Sequence, residues 1–266
     1  MEQSTVKQSA APILDVRDIS VSFGGVKPVR GVSFSIEKNT FTSIIGPNGA
    51  GKTSLFNLIS GANKIDSGEI YFKGDPIHSI HAYQVAQRGL VRTFQGAKVI
   101  RRLTVVENLM MAVQGNPGDN LWGFLNPSAR KRFEISTREE AMLRLEQVGL
   151  SKFANDFAGI LSGGQRKLLD LSRALMTSPS MVLLDEPFAG VNPTLVEKLL
   201  EVIADLRKNN EITFLLIEHD LETVMNISER VIVMAEGKII ADGLPNSIYD
   251  NELVIDAYLG SRRKGA

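Results

Sequence analysis

The sequence predicts an α/β fold with three parts: a parallel sheet with crossover helices, an antiparallel β subdomain and an inserted α-helical subdomain. Alternating apolar residues near the amino terminus are typical of antiparallel strands, whereas helix and strand patterns take turns from residue 166 onward. Between these regions, residues 95–165 are mainly helical in character. The chain has 266 residues, 43% of them apolar, which is enough to bury a substantial core in one domain or two closely joined lobes.

The antiparallel strands are predicted from two alternating runs that Gly24 and Gly25 separate. Apolar residues occupy every second position in both runs, first at Ile19, Val21 and Phe23, then at Val32, Phe34 and Ile36. A period of two is that of a strand with one buried face, and the glycine pair suits a turn between the strands. Residues 68–73 continue the pattern, so we expect a third strand there.

The remaining elements are predicted from helical spacing and short apolar runs. Helical patterns occur at 105–113, 138–148, 166–176 and 195–208, and strand patterns occur at 181–184 and 212–217. A Gly-, Pro- and Asn-rich interval at 115–127 separates the first two helices. The alternation of helix and strand after residue 166 predicts a parallel sheet with crossover helices.

A phosphate-binding loop is predicted between the apolar run 41–45 and a helical segment that stops at Gly61. The loop reads Gly-Pro-Asn-Gly-Ala-Gly-Lys-Thr, in which glycines let consecutive N–H groups point at phosphate oxygens. Lys52 would reach the outer phosphates, and the Thr53 hydroxyl would bind a magnesium ion. A plain glycine turn would match this pattern by chance in about one chain per hundred. The predicted nucleotide ligands are Gly46, Pro47, Asn48, Gly49, Ala50, Gly51, Lys52, Thr53 and Ser54.

Two adjacent carboxylates end the apolar strand 181–184, where a doubly wound sheet presents its active site. Asp185 can hold magnesium through water, and Glu186 can orient and polarise an attacking water as general base. An isolated Asp-Glu pair is usually a solvated strand end, but the phosphate loop upstream favours the catalytic interpretation.

The segment 161–165, Leu-Ser-Gly-Gly-Gln, has two interpretations. Ser162 and Gln165 have the spacing of an ordinary capping box. Gly163 and Gly164 would also leave a bare helix N-terminus, whose N–H groups and dipole suit an external anion such as a γ-phosphate.

The order of these motifs, together with Gln95 and His219, resembles the ATP-binding subunit of ABC transporters, over residues 13–260. The resemblance implies a P-loop NTPase with a RecA-like core and the cofactors ATP and Mg²⁺. It implies one ATPase domain at 13–260, between a disordered tail at 1–12 and a second tail at 261–266. The core and β subdomain would comprise 13–94 and 166–260, and the helical subdomain 95–165.

The same resemblance assigns further roles. Phe23 would stack on adenine, Gln95 would contact magnesium and the attacking water, and His219 would contact the γ-phosphate. Ser162, Gly163, Gly164 and Gln165 would serve the nucleotide bound by the opposite subunit, so that two subunits enclose two ATP molecules. Without the resemblance, Phe23 would be interpreted as a core residue. Asn192 departs from the family, in which many members have an aspartate, and we expect it to tune the coupling between the two sites.

Segments 91–95, 103–109, 121–125, 217–220 and 254–260 most resemble the ATPases of branched-chain amino acid importers. The implied partners are transmembrane permease subunits, a second ABC ATPase subunit in a homodimer or heterodimer, and indirectly a periplasmic or extracellular substrate-binding protein. The implied location is the cytoplasmic face of the cell membrane, as a peripheral protein. Urea and amide importers are compatible, and segments 100–104 and 185–191 also resemble the lipopolysaccharide-export ATPase.

Composition disfavours several other classes of function. Thirty basic and 30 acidic residues balance, which argues against a nucleic-acid partner, and the absence of cysteine excludes disulfides. Nowhere do about 18 apolar residues run consecutively, as a membrane span requires. A soluble, non-transport ABC ATPase usually carries two motif sets or a long coiled coil, and neither occurs.

The apolar cluster of Trp122, Phe124 and Leu125 is equally compatible with a partner groove and a small satellite core.

Overall fold

The computed structural model describes residues 11–93, 99–113, 115 and 126–263. Most of the predicted amino-terminal tail, the last three residues, Gln95 and the cluster at Trp122, Phe124 and Leu125 lie outside the described residues. Within the described part, ten strands form two sheets, and nine α-helices and two short 3₁₀ helices surround them.

The smaller sheet is antiparallel and has the strand order β2-β1-β4-β5. Its strands are β1 (Leu14–Phe23), β2 (Val26–Ile36), β4 (Ser67–Phe72) and β5 (Asp75–Pro76). Burial alternates along β1 and β2, because one face of the sheet packs on the core and the other meets solvent. The predicted antiparallel strands are confirmed.

The larger sheet has the order β10-β9-β3-β8-β7-β6, and every pair is parallel except the edge pair β9–β10. Its strands are β3 (Phe41–Ile45), β6 (Leu90–Arg92), β7 (Met181–Asp185), β8 (Thr213–Ile217), β9 (Arg230–Ala235) and β10 (Lys238–Gly243). All residues of β3, β7 and β8 are buried, as their short apolar runs require. The predicted parallel sheet is confirmed.

The helices are α1 (Lys52–Ile59), α2 (Ala82–Gln87), α3 (Val105–Met110), α4 (Pro127–Gln147), α5 (Gly163–Leu175), α6 (Pro193–Asn210), α7 (Leu221–Ile227), α8 (Pro245–Tyr249) and α9 (Glu252–Arg263). The 3₁₀ helices are Ser151–Phe153 and Ala158–Ile160. No helix in the described ranges is both long enough and apolar enough to cross a bilayer.

Helix α4 begins eleven residues before the start predicted at Arg138. Asn126 caps it, with the side-chain oxygen accepting a hydrogen bond from Ala129 N at 3.1 Å, and Pro127 occupies the first turn. Its first half shows no apolar periodicity because that half is largely solvent-exposed; only Thr137, Ala141 and Leu145 are buried. The apolar pattern therefore marks the packed half of the helix and not its start.

The core lies on both faces of the larger sheet. Alternate residues of each strand point to opposite faces. Val182 and Leu184 of β7 therefore join the cluster under α5 and α6, whereas Met181 and Leu183 join the cluster shared with α1 and the antiparallel sheet. Because both faces of the larger sheet are buried, the positions of its strand ends are fixed, and so are the starts of the loops that follow them.

Candidate functional site

Three neighbouring strands end at the same edge of the larger sheet. In the parallel register, Ile44 of β3 pairs with Ile217 of β8, and Ile217 pairs with Asp185 of β7. The phosphate loop follows β3, Glu186 follows Asp185, and His219 lies two residues beyond β8. The sheet thus brings together the predicted loop, carboxylates and histidine at its carboxyl edge.

At two glycines of the phosphate loop, the positive backbone φ angle and the closeness of neighbouring backbone atoms exclude any side chain. At Gly46, with φ +149°, a Cβ atom would lie 2.1 Å from the carbonyl oxygen of Met234. At Gly51, with φ +103°, it would lie 1.9 Å from the carbonyl oxygen of Pro28. Gly49 has φ +79° but open space around it. The loop therefore packs closely against both β2 and the end of β9.

Lys52 is enclosed by the loop that precedes it. Its Nζ donates hydrogen bonds to the carbonyl oxygens of Gly46 at 2.7 Å and Pro47 at 3.1 Å, and the residue is only 5% exposed. Burial lowers the pKa of Lys52, while Glu186 and Asp185 act against that shift. The cation is thus held at the centre of the loop and faces two carboxylates.

Helix α1 begins beside this lysine with no side-chain cap. Gly51 occupies the N-cap position, so the first N–H groups of the helix are left for another acceptor. Thr53 is exposed in the first turn, and Ser54 is half-buried. Elsewhere in the loop, the buried Ala50 donates its N–H to the half-buried Pro47, and Asn48 is exposed. Uncapped N–H groups, a helix dipole and a cation together form an anion site.

Asp185 is buried, and its two carboxylate oxygens differ. Oδ2 accepts a hydrogen bond from Arg92 Nη2 at 2.6 Å, and Arg92 Nη1 donates to Asn57 Oδ1 on α1 at 2.5 Å. Oδ1 has no hydrogen-bond partner among the described residues. A buried carboxylate oxygen needs a hydrogen-bond donor, which a metal-bound water supplies through its O–H, so the residue fits its predicted magnesium role.

Sequence reasoning missed Arg92, because its place at the end of β6, next to β7, is known only once the sheet is formed. The guanidinium contacts Asp185, 93 residues later in the chain, and Asn57 of the phosphate-loop helix, 35 residues earlier. A pattern search does not connect positions so far apart.

Glu186 and His219 form a direct pair. His219 Nε2 lies 2.6 Å from Glu186 Oε1, and an ionised carboxylate only accepts, so Nε2 carries the hydrogen when Glu186 is ionised. Glu186 has a left-handed backbone, with φ +50°, and its N–H donates to Ile217 O at 2.9 Å. This conformation turns the chain out of the sheet directly after Asp185, so that adjacent carboxylates take different surroundings.

The N-terminus of α5 is closed by its own side chains. Gln165 N donates to Ser162 Oγ at 3.3 Å, and Ser162 N donates to Gln165 Oε1 at 2.8 Å, which confirms the capping box. A Cβ atom on Gly163 would meet open space, whereas one on Gly164 would lie 2.7 Å from Leu195 Cδ1. These hydrogen bonds stay within the cap and do not join it to the phosphate loop.

Phe23 ends β1 with 49% of its surface exposed. The core interpretation of this residue is therefore wrong, and its predicted role as an adenine platform stays a prediction. Gln95 lies outside the described residues, so its predicted contacts also stay predictions.

The carboxy-terminal helix α9 reaches the phosphate loop. The Tyr258 hydroxyl is buried and interacts with the backbone of Gly46, and burial raises the pKa of Tyr258 to about 12. A cavity of about 610 Å³ separates other residues of α9 from the outer face of the loop, and Asn48, Arg30 and Asp256 are among its lining residues. Sequence reasoning did not place this helix at the site.

Comparison with known proteins identifies close relatives. The family model described as ABC transporter matches residues 29–189. The chain is 42% identical over 250 residues to the high-affinity branched-chain amino acid transport ATP-binding protein BraF of Pseudomonas aeruginosa, covering 94% of this chain and 98% of that protein. It is 38% identical over the same length to the corresponding protein LivG of Escherichia coli strain K12, with the same coverage of both chains.

Solved structures agree with the architecture. A nucleotide-free ATP-binding cassette from an ABC transporter superposes with a TM-score of 0.82 at 38% identity, covering 93% of this chain and 99% of the other. The ADP conformation of the cassette MJ1267 gives a TM-score of 0.80 at 35% identity, covering 94% and 100%.

Proposed function

This chain belongs to the ABC transporter family of ATPases, and we propose that it hydrolyses ATP to drive the import of branched-chain amino acids through partner membrane subunits. The main observation in support of ATP hydrolysis is that Lys52, Asp185 and the Glu186–His219 pair lie together at one sheet edge. The similarity to BraF and LivG over nearly the whole chain supports the transport part.

The residues divide the chemistry between them. Backbone N–H groups at the start of α1 and the ammonium of Lys52 bind phosphate oxygens, since both are donors held in place before nucleotide arrives. Magnesium, when bound, would neutralise charge on the phosphates, with the Thr53 hydroxyl and, through water, Asp185 Oδ1 as its protein ligands. Gln95 completes this set in the proposal.

Glu186 is the proposed general base. Its carboxylate orients the attacking water and accepts a proton from it. The water oxygen bonds to the γ-phosphorus while the bond from phosphorus to the β–γ bridging oxygen breaks, which releases phosphate and ADP. His219 holds the Glu186 carboxylate through the 2.6 Å contact and, in the proposal, would also contact the γ-phosphate. The hydrogen bond restrains the orientation of the base before substrate binds.

Two copies of the site would form between two ATPase subunits, either identical or different. Ser162, Gly163, Gly164 and Gln165 of one subunit would contact the γ-phosphate bound by the other, and Phe23 would stack on adenine. The exposure of Phe23 and the position of the Ser162 cap at a helix N-terminus support these roles. Permease subunits, an external substrate-binding protein and a peripheral position at the cytoplasmic face of the membrane complete the proposal.

The test traps the chain with its partners and measures transport in parallel. Glu186→Gln, expressed with ATP present in membranes of the source organism, is purified gently and its companions are identified by mass spectrometry. We expect a second ATPase and importer-type membrane proteins, and loss of labelled leucine uptake when the variant replaces the wild type. Export-type membrane proteins, ribosomes or DNA in the complex, or uptake that continues at the wild-type rate, would refute the transport proposal.

A further inference from the structure

The segment 186–189 joins the catalytic carboxylate to the rest of the molecule through an unusual turn. Glu186 has a left-handed backbone, which non-glycine residues adopt only when the surroundings hold them there. Ala189 N donates only a long 3.4 Å hydrogen bond back to Glu186 O, so the turn itself is weakly closed. Other elements must therefore fix the direction in which the Glu186 side chain leaves the sheet.

Lys167 of helix α5 binds the carbonyl groups at both ends of this turn. Its Nζ donates to Glu186 O at 2.8 Å and to Ala189 O at 2.6 Å. Burial lowers the pKa of Lys167, and the carboxylates of Glu218 and Glu186 favour its charged form. The side chain lies only two positions after Gln165, so it links the capped start of α5 to the backbone of the catalytic glutamate.

Glu218, directly after strand β8, binds the backbone of the same turn. The residue is 3% exposed at the end of β8; its Oε1 accepts from Phe188 N at 2.8 Å, and its Oε2 accepts from His219 N at 3.0 Å. One carboxylate therefore holds both the turn that carries Glu186 and the backbone of the histidine that contacts Glu186. Burial raises the pKa of Glu218, while the two backbone donors and Lys167 oppose that rise.

We propose that Lys167 and Glu218 are positioning residues that fix Glu186 against His219, and that Lys167 makes this placement depend on helix α5. Neither side chain touches the reacting atoms in this role; each acts through the backbone at 186–189 and 218–219. The dependence on α5 rests on the proposed function, in which the N-terminus of α5 receives the nucleotide of the opposite subunit. Occupation of one site would then be transmitted inside the subunit to its own general base.

The first experiment uses the nucleotide-free protein, so it does not depend on the proposed function. The chain has three histidines, and long-range ¹H–¹⁵N spectra of ¹⁵N-histidine protein resolve the ring nitrogens of His78, His81 and His219. We expect Lys167→Met and Glu218→Gln to shift the His219 signals and leave those of His78 and His81 in place. His219 signals that stay unchanged, or equal shifts of all three rings, would overturn the proposal.

The second experiment measures ATP hydrolysis by the same variants. A displaced general base lowers kcat and not nucleotide affinity, so Lys167→Met should lose roughly 10- to 100-fold in kcat with KM unchanged, because misplacement by about 1 Å has that scale of effect. Lys167→Arg, which keeps the charge and reach, should recover most of the loss, and the exposed Lys208→Met on α6 should match the wild type. Equal loss in both Lys167 variants would contradict the positioning role.

The link to α5 is tested by the steepness of the ATP dependence. If Lys167 transmits occupation of one site to the other, Lys167→Met should also flatten a sigmoidal ATP curve, and an unchanged curve would remove that part of the proposal. A wild-type protein that hydrolyses no ATP would instead refute the proposed function, while the histidine spectra would still decide the positioning role.

Discussion

Two helix N-termini in this molecule were both expected to bind phosphate, and they are built differently. The start of α1 has a glycine at the N-cap, no capping side chain and the buried Lys52 beside it. The start of α5 is closed by the reciprocal bonds of Ser162 and Gln165. An anion therefore finds prepared donors at α1, whereas at α5 it must share or replace a cap.

The difference supports the proposal that the start of α1 binds phosphate within one chain, whereas the start of α5 does so only with a second subunit. At α1, backbone geometry leaves the donors without an internal alternative, so they are available before ligand arrives. At α5, the cap stabilises the helix in the isolated chain, and a second subunit would bring the phosphate. Changes at the start of α1 should therefore affect nucleotide binding directly, whereas changes to the cap of α5 should affect helix stability and assembly and leave nucleotide binding by the single subunit unchanged.

The largest expected effect comes from Gly51→Ala. The new Cβ would lie 1.9 Å from Pro28 O at a backbone φ of +103°, so the loop must move away from β2. We expect nucleotide binding, measured by titration with a fluorescent ATP analogue, to become undetectable. The left-handed backbone alone costs about 1–3 kcal/mol of folding free energy, and the overlap adds to it, so thermal unfolding should occur at a lower temperature.

Gly49→Ala is the matched control for this change. Gly49 also has a positive φ, +79°, but its Cβ would meet no atom within 4 Å. It therefore has the backbone strain without the collision, and it should retain measurable binding. Equal losses in the two variants would show that close approach to β2 does not matter.

Lys52→Met should have the next largest effect. Charged hydrogen bonds are worth about 1.5–3 kcal/mol each, so the loss of one contact to phosphate should weaken ATP binding roughly 10- to 150-fold. The measurement is the same titration, with the exposed Lys38→Met as control. An affinity equal to that of the wild type would mean that the lysine only closes its own loop through Gly46 and Pro47.

The sequence predicted those parts of the site that lie within short segments. The phosphate loop and Asp185–Glu186 were found because each lies at the end of a buried strand, and the sheet then brings the strand ends together. The capping box at Ser162 was found because its two residues are three positions apart.

The parts that were missed depend on contacts between distant segments. Lys167 bonds to carbonyl groups 19 and 22 residues away, and Glu218 accepts from an N–H 30 residues away. Before the fold is known, a lysine on a helix and a glutamate after a strand look like ordinary surface residues. The edge hairpin β9–β10 was also missed, although its Glu236–Gly237 turn contacts β2 and the phosphate loop.

Ser162→Ala should have a moderate effect confined to α5. Loss of an N-cap serine costs about 1 kcal/mol of folding free energy, visible as a lower denaturant midpoint. ATP binding by the single subunit should be unchanged, whereas ATP-dependent dimer formation, measured by light scattering in the Glu186→Gln background, should weaken.

Thr104→Ala provides the matched control, because Thr104 caps α3 with the same reciprocal pattern toward Glu107. It should cost similar stability and leave dimer formation intact. If Thr104→Ala weakened the dimer as much as Ser162→Ala, the cap at α5 would have no special part in assembly.

Asn192→Asp should have the smallest effect on stability. Asn192 caps α6 by accepting from Leu195 N at 2.9 Å, and aspartate caps equally well while adding a charge that the helix dipole favours by about 0.3–1 kcal/mol. The start of α6 lies against the start of α5, since Gly164 has Leu195 and Val191 as its nearest side chains. A charge at position 192 would thus lie near the start of α5, where the proposal expects the phosphate of the opposite subunit, and not in the phosphate loop. We expect unfolding midpoints to rise slightly, ATP affinity to stay constant and the steepness of ATP-dependent hydrolysis to change.

Asn126→Asp at the cap of α4 is the control for the charge alone, and a change of steepness in that variant would show that the effect is not specific to α6.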